Sequence, residues 1–116
     1  MSQDIEALQA ALRQFAAARE WEQFHSPKNL AAALSVEAAE LLEHFQWLTE
    51  EQSRNLPSDK QEKVAEELAD VLLYLLQIAD KLGIDPLDAA RRKMQRNAMK
   101  YPVELARGSM RKYTEL

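Results

Sequence analysis

Two acidic pairs, each with its members three residues apart inside apolar helix-forming sequence, limit the fold of this chain more than any other feature. Glu37 and Glu40 stand in LAAALSVEAAELLEHFQW, and Glu67 and Asp70 stand in VAEELADVLLYLLQIA. On a helix, residues three apart lie on one face about a turn from each other. In both stretches that face also carries residues expected in a core. Carboxylates are seldom buried without a partner, because desolvating an ion costs several kcal/mol. Something positive should therefore sit between the two helices.

The remainder of the chain favours helices as well. Its 116 residues are 47% hydrophobic with only two glycines and four prolines. Ala, Leu, Glu, Gln, Lys and Arg dominate, and all are good helix formers. The expected class is all-α, in a single domain over 1–116. A first helix is expected from Asp4 to Arg19, with Ile5, Leu8, Leu12 and Phe15 in helical phase. Ser26-Pro27 reads as N-cap and first turn of a second helix reaching Leu48, striped by Leu30, Leu34, Glu37, Leu41, Phe45 and Leu48. TEEQSRNLP is polar and ends in proline, so it reads as a connecting loop. Ser58-x-x-Gln61 is a capping-box pattern opening a third helix that Gly83 closes. Asp85-Pro86 starts a fourth, carrying Leu87, Ala90, Met94 and Ala98 to Tyr101, and Pro102 ends it. The tail over 103–116 is basic in its middle and is expected to be extended or loosely ordered.

The third helix is apolar on more than one side, through Val64, Leu68, Val71, Leu72, Leu73, Leu75, Leu76 and Ile78. Such a helix is buried on several sides, which in a small domain suggests an oligomer interface. The net charge of −4 argues against a general nucleic-acid binder. With no cysteine, disulfides and thiolate metal sites are excluded. The N-terminus lacks an apolar signal core, and the longest apolar run, Val71 to Leu76, is too short to span a bilayer. The expectation is a soluble cytoplasmic protein without membrane or nucleic-acid partners.

Four carboxylates without thiolates favour a hard divalent cation held by oxygen, Mg²⁺ before Ca²⁺ or Mn²⁺. Mg²⁺ keeps several waters and recruits substrate phosphates, so the cluster suits phosphate-ester chemistry. A lone E-x-x-E is common in a glutamate-rich helical protein and reads more readily as a solvated face than as a site. E-x-x-D within LADVLLYLL is harder to dismiss, because aspartate is a poor mid-helix former and Asp70 has Leu68, Val71, Leu72 and Tyr74 within a turn. Trp21 and His25 precede the second helix. Trp47 follows Glu37 by close to three turns, on roughly the same side. Aromatics at the margin of a phosphate–metal site can stack on a nucleobase. Singly, each tryptophan reads more readily as a core residue, and His25 more readily as a loop or cap residue than as a metal ligand. Lys93, Asn97 and Lys100 or Tyr101 recur along one side of the fourth helix, which suits phosphates or a solvated face. Arg107, Arg111 and Lys112 either clamp phosphates or keep the tail soluble.

At this point the residues match a known pattern. The chain resembles the all-α nucleoside triphosphate pyrophosphohydrolases, the MazG-like group, whose signature of E-x-x-E followed on the next helix by E-x-x-D is met by Glu37-Ala-Ala-Glu40 and Glu67-Leu-Ala-Asp70. WEQFHSPKNL, FQWLTE, EELADVLLYLL, KMQRNAMKYP and LARGSMRKYTEL, in that order, are similar to the branch of the group that acts on dCTP. The resemblance implies a four-helix bundle assembled as a homodimer or homotetramer, with Mg²⁺ on Glu37, Glu40, Glu67 and Asp70. It implies hydrolysis of a nucleoside triphosphate to the monophosphate and pyrophosphate; from the charges alone, Glu37 or Glu40 is expected to position or deprotonate the attacking water. Trp21, His25, Trp47 and Tyr74 match residues lining the nucleotide pocket, and Lys93, Asn97 and Tyr101 match those that hold the phosphates. One departure concerns base preference: relatives can carry a polar or histidine residue where this chain has Leu12-Arg13-Gln14.

Two rivals remain beside that reading. A di-iron carboxylate bundle needs two Glu-x-x-His motifs, whereas this chain has one, Glu22-x-x-His25, at a helix boundary. A non-catalytic helical interaction module would make the oily third helix a dimerisation face, and leaves a buried Asp70 unexplained.

Overall fold

The computed structural model describes residues 3–116, and every regular element among them is helical. Helix α1 spans Gln3–Ala18 and α2 spans Pro27–Glu43, with a single 3-10 turn, Glu22–Phe24, between them. A short α3, Glu50–Arg54, precedes the long α4, Ser58–Leu82. Beyond Gly83 come α5, Pro86–Lys100, the four-residue α6, Val103–Ala106, and a last 3-10 turn, Tyr113–Glu115. No helix is long and apolar enough to cross a membrane among the described residues. Two compact units result, one ending at Ile84 and the other running Asp85–Leu116.

Local chemistry explains most boundaries. Ser26 caps α2 by accepting from the Asn29 N–H, with Pro27 at the first helical position, where its missing N–H costs nothing. Asp85 caps α5 by accepting from the N–H groups of Leu87 and Asp88. Gly83 ends α4 at φ +67°, a left-handed conformation that an L side chain adopts only with strain.

Four expectations are corrected here. Helix α2 stops at Glu43 rather than Leu48, because the chain leaves the helix axis in a run of tight turns, with Phe45 N–H bonded to Leu42 O at 2.8 Å and Leu48 N–H to Phe45 O at 2.9 Å. The expected loop TEEQSRNLP instead contains α3, nucleated by a complete capping box. The Thr49 hydroxyl accepts from Gln52 N–H, and the Gln52 side chain accepts from Thr49 N–H. The box expected at Ser58 and Gln61 does not form, because Pro57 takes the cap position and Ser58 is already helical. The tail, expected to be loose, carries α6 and the terminal turn. Tyr113 packs edge-on to Tyr101 with ring centroids 6.1 Å apart, and the Lys100 ammonium lies 4.9 Å from the Tyr113 ring.

In the first unit α4 packs chiefly against α2 and more lightly against α1. The fully buried residues are Leu30 from α2 and Leu76 from α4, with Ala16, Val64 and Ala79 nearly so. Two polar contacts hold α1 on α4. Gln9, only 4% exposed, donates to Leu76 O at 3.0 Å, and Arg13 Nη1 donates to both carboxylate oxygens of Asp80 at 2.8 Å. The equal sequence separation of these pairs means that α1 and α4 run parallel. Leu68, Leu72, Leu75 and Leu82 remain 43–53% exposed along another side of α4.

Candidate functional site

The packing of α2 on α4 brings the acidic pairs together. One oxygen each from Glu37, Glu67 and Asp70 lies within 4.8 Å of the others. Glu40, one turn beyond Glu37 on α2, is hydrogen-bonded to it. Glu37 is a stronger base than an isolated glutamate, its pKa raised from 4.5 to about 7. Desolvation is the largest cause, followed by the hydrogen bond to Glu40 and repulsion from Glu40, Asp70 and Glu67. At neutral pH Glu37 therefore holds a proton for a substantial part of the time, which relieves part of the crowded negative charge.

Two carboxylate oxygens, Glu37 Oε2 and Glu67 Oε2, are wholly buried with no hydrogen-bond donor. A buried acceptor without a donor costs about 1–3 kcal/mol. Two of them in one acidic cluster fit a cation better than any neutral partner, and an all-oxygen donor set suits a hard divalent ion. His44, at the C-cap of α2, sets Nε2 3.8 Å from Glu67 Oε1 on the flank of the cluster. That position is readable from sequence as four residues beyond Glu40, one turn along the same helix face.

Asp70 departs from expectation. Leucines flank it in sequence, yet its side chain is exposed, and the orphaned oxygens belong to Glu37 and Glu67. The reason is an open pocket of about 370 Å³ between α1 and α4, lined by Leu8, Leu12, Phe15, Trp21, His25, Asp70, Leu73, Tyr74 and Gln77 among others. Asp70 is common to the acidic cluster and this pocket. Phe15, Trp21 and His25 form a run of edge-to-face rings, with centroids 5.6 Å and then 6.3 Å apart. The Arg19 guanidinium stacks 3.6 Å from the Phe15 ring centre. A flat aromatic ligand inserted here would meet ring edges and aliphatic side chains, with carboxylates at one end.

Of the expected pocket residues, Trp21, His25 and Tyr74 therefore line one cavity together. Trp47 does not. It is 86% exposed and absent from the lining, because the three-turn count from Glu37 assumed a helix that in fact stops at Glu43. Lys93 and Asn97 lie on α5 and Tyr101 at its C-cap, in the unit Asp85–Leu116. Leu12, at the position where relatives can carry a polar residue or histidine, is in the lining, and Phe15 and Gln77 join it without having been singled out for it. Gln77 could have been found as the residue two turns beyond Asp70 on the same face of α4.

Comparisons with known proteins agree with this architecture. A crystal structure of a pyrophosphatase from Archaeoglobus fulgidus superposes with a TM-score of 0.81 at 43% identity, covering 88% of this chain and 95% of that one. The dCTP pyrophosphatase 1 proteins of Mus musculus and Homo sapiens are 46% and 47% identical over 98% of this chain, which spans 66% of their length. The sequence model of the MazG-like family matches residues 32–116, a stretch that contains both acidic pairs. With its signature carboxylates converging across two packed helices and most of its length inside the family's match, the chain belongs to the MazG-like family.

Proposed function

We propose that the chain is a divalent-metal-dependent nucleoside triphosphate pyrophosphohydrolase whose substrate is dCTP or a base-modified dCTP. The observation that carries this reading is the sharing of Asp70 between an oxygen-only cluster with two orphaned buried acceptors and an aromatic pocket. A metal-phosphate end and a base end meet at one residue. The names of the relatives, pyrophosphatase and dCTP pyrophosphatase 1, support the reaction type and the base.

In this reading Glu37, Glu40, Glu67 and Asp70 hold Mg²⁺. When bound, the ion supplies positive charge to the phosphoryl oxygens and eases departure of pyrophosphate. Glu37 or Glu40 orients the water that attacks the α-phosphorus and takes its proton. Trp21, His25 and Tyr74 receive the base. Lys93, Asn97 and Tyr101, assigned by resemblance, bind the phosphates. Self-association through the exposed leucines of α4 completes the proposal, as a dimer or a dimer of dimers.

A panel of nucleoside triphosphates with Mg²⁺, scored for pyrophosphate against orthophosphate release, tests reaction and base together. Pyrophosphate released from dCTP in a strictly metal-dependent manner is the expected result. Orthophosphate alone would replace this reaction with hydrolysis at another phosphorus, and no turnover together with neither Mg²⁺-dependent nucleotide binding nor thermal stabilisation would leave a non-catalytic helical module as the better reading.

A further inference from the structure

The pocket's far end raises a question that the acidic cluster does not answer: which group reads the polar edge of the base. The α1 wall, Leu8, Ala11, Leu12 and Phe15, offers only hydrocarbon and an aromatic ring. Asp70 belongs to the acidic cluster, and the ring nitrogens of Trp21 and His25 sit on the segment between α1 and α2 rather than on the α4 wall. On α4 the polar lining side chains beyond Asp70 are Tyr74 and Gln77, in one helical stripe. Seven residues separate Asp70 from Gln77, a rise of about 10 Å along the helix. That is the reach from an α-phosphate across a sugar to the far edge of a pyrimidine.

The amide of Gln77 is oriented by its own helix. Its Nε2 donates to Leu73 O, one turn back, at 3.3 Å. Only the nitrogen of the amide can face a carbonyl, so the chemistry of this contact distinguishes the two ends of the side chain. The oxygen is left as an acceptor on a part-buried side chain at the pocket wall. An exocyclic amino group, as on cytosine, would satisfy it. A carbonyl at the same place, as on uracil or thymine, would set acceptor against acceptor in largely apolar surroundings. Turning the amide to present N–H instead would break its bond to Leu73.

We propose that Gln77 is the base-specificity residue of this pocket, its side-chain oxygen selecting an amino pyrimidine over a carbonyl pyrimidine. The proposal rests on the pyrophosphohydrolase reading above, and the experiment separates the two. Specificity is read as the ratio of kcat/KM for dCTP to that for dUTP, in wild type, Gln77→Leu and Gln77→Glu, with folding checked by circular dichroism melts. Calorimetric binding of dCMP against dUMP supplies a readout independent of turnover.

The expected result is a wild-type ratio of at least tenfold that falls at least tenfold in Gln77→Leu, a change of about 1.4 kcal/mol in discrimination. The dCMP preference should fall in parallel. Gln77→Glu keeps an acceptor oxygen and should hold a ratio above that of Gln77→Leu, and it remains a strong helix former should the leucine variant fold poorly. A ratio unchanged in a folded Gln77→Leu, or a wild type without preference between the two nucleotides, overturns the assignment to Gln77 while pyrophosphate release stands. No pyrophosphate from either nucleotide with wild type overturns the parent reading and the role of Gln77 with it.

Discussion

Glu37 shows how a single side chain couples protonation to stability in this protein. Its pKa is raised from 4.5 to about 7, chiefly by desolvation, so the folded chain binds that proton more tightly than the unfolded chain does. The stabilisation is therefore fully present below about pH 4.5 and is lost as pH rises through about 7. Metal-free protein should accordingly melt at lower temperature at pH 8 than a smooth charge trend from pH 5 predicts, and Glu37→Gln should remove that excess fall in a calorimetric pH series. Divalent cation should restore stability most at the alkaline end, because the ligands then need no deprotonation. A flat metal-free profile would show that Glu37 titrates near its ordinary value. Glu67 bears the other orphaned oxygen, and Glu67→Gln removes a ligand charge at nearly constant shape. Its expected effect is a loss of about 100-fold or more in Mg²⁺-dependent pyrophosphate release, with the melting temperature of the metal-free protein unchanged or raised. Retained turnover would remove Glu67 from the metal site.

At the scale of elements, helix ends place the site. The stop of α2 at Glu43 keeps Glu37 and Glu40 in its last turns and leaves His44 on the cluster's flank, while Trp47 is carried off the helix axis. The capping box of Thr49 and Gln52 supports α3 within the connection from α2 to α4. Thr49→Ala should destabilise that turn by about 1 kcal/mol, seen as faster amide exchange confined to α3. Gly83 is the sharper case. A Cβ there would meet nothing within 4 Å, so crowding is absent and only the φ of +67° opposes a side chain. Gly83→Ala should cost about 1–2 kcal/mol in chemical unfolding, with Gly83→Asn costing less. Equal stability of Gly83→Ala and wild type would mean that the α4 terminus relaxes out of the left-handed conformation.

At the scale of the whole molecule, the apolar side of α4 is the unresolved surface of the single chain. Leu68, Leu72, Leu75 and Leu82 recur at helical spacing and stay 43–53% exposed, although leucines so aligned ordinarily lie against another helix. Self-association through this face predicts a dimer or larger species by sedimentation at micromolar concentration. Leu72→Glu or Leu75→Glu, neither of which lines the aromatic pocket, should shift that species toward monomer. A stable wild-type monomer would sink the assembly proposal and leave the site geometry intact.

Sequence alone determined the all-helical class, the four long helices and the convergence of acidic pairs, because these depend on local chemistry and spacing. Helical periodicity, the Ser26-Pro27 and Asp85-Pro86 starts and the Gly83 stop need no knowledge of distant residues. The E-x-x-E and E-x-x-D pattern, with no thiolate in the chain, already called for a hard cation. Sequence could not decide which carboxylates would be buried. Asp70 looked buried among leucines, yet α1 lies so as to leave a pocket beside it, and the orphaned oxygens fall on Glu37 and Glu67. Nor could it show that Phe15 and Gln77 join Trp21, His25 and Tyr74 around one cavity while Trp47 stays 86% exposed outside it. Those outcomes depend on the parallel seating of α1 on α4 and the early end of α2. Both are set by contacts between residues far apart in the chain, and no local pattern records them.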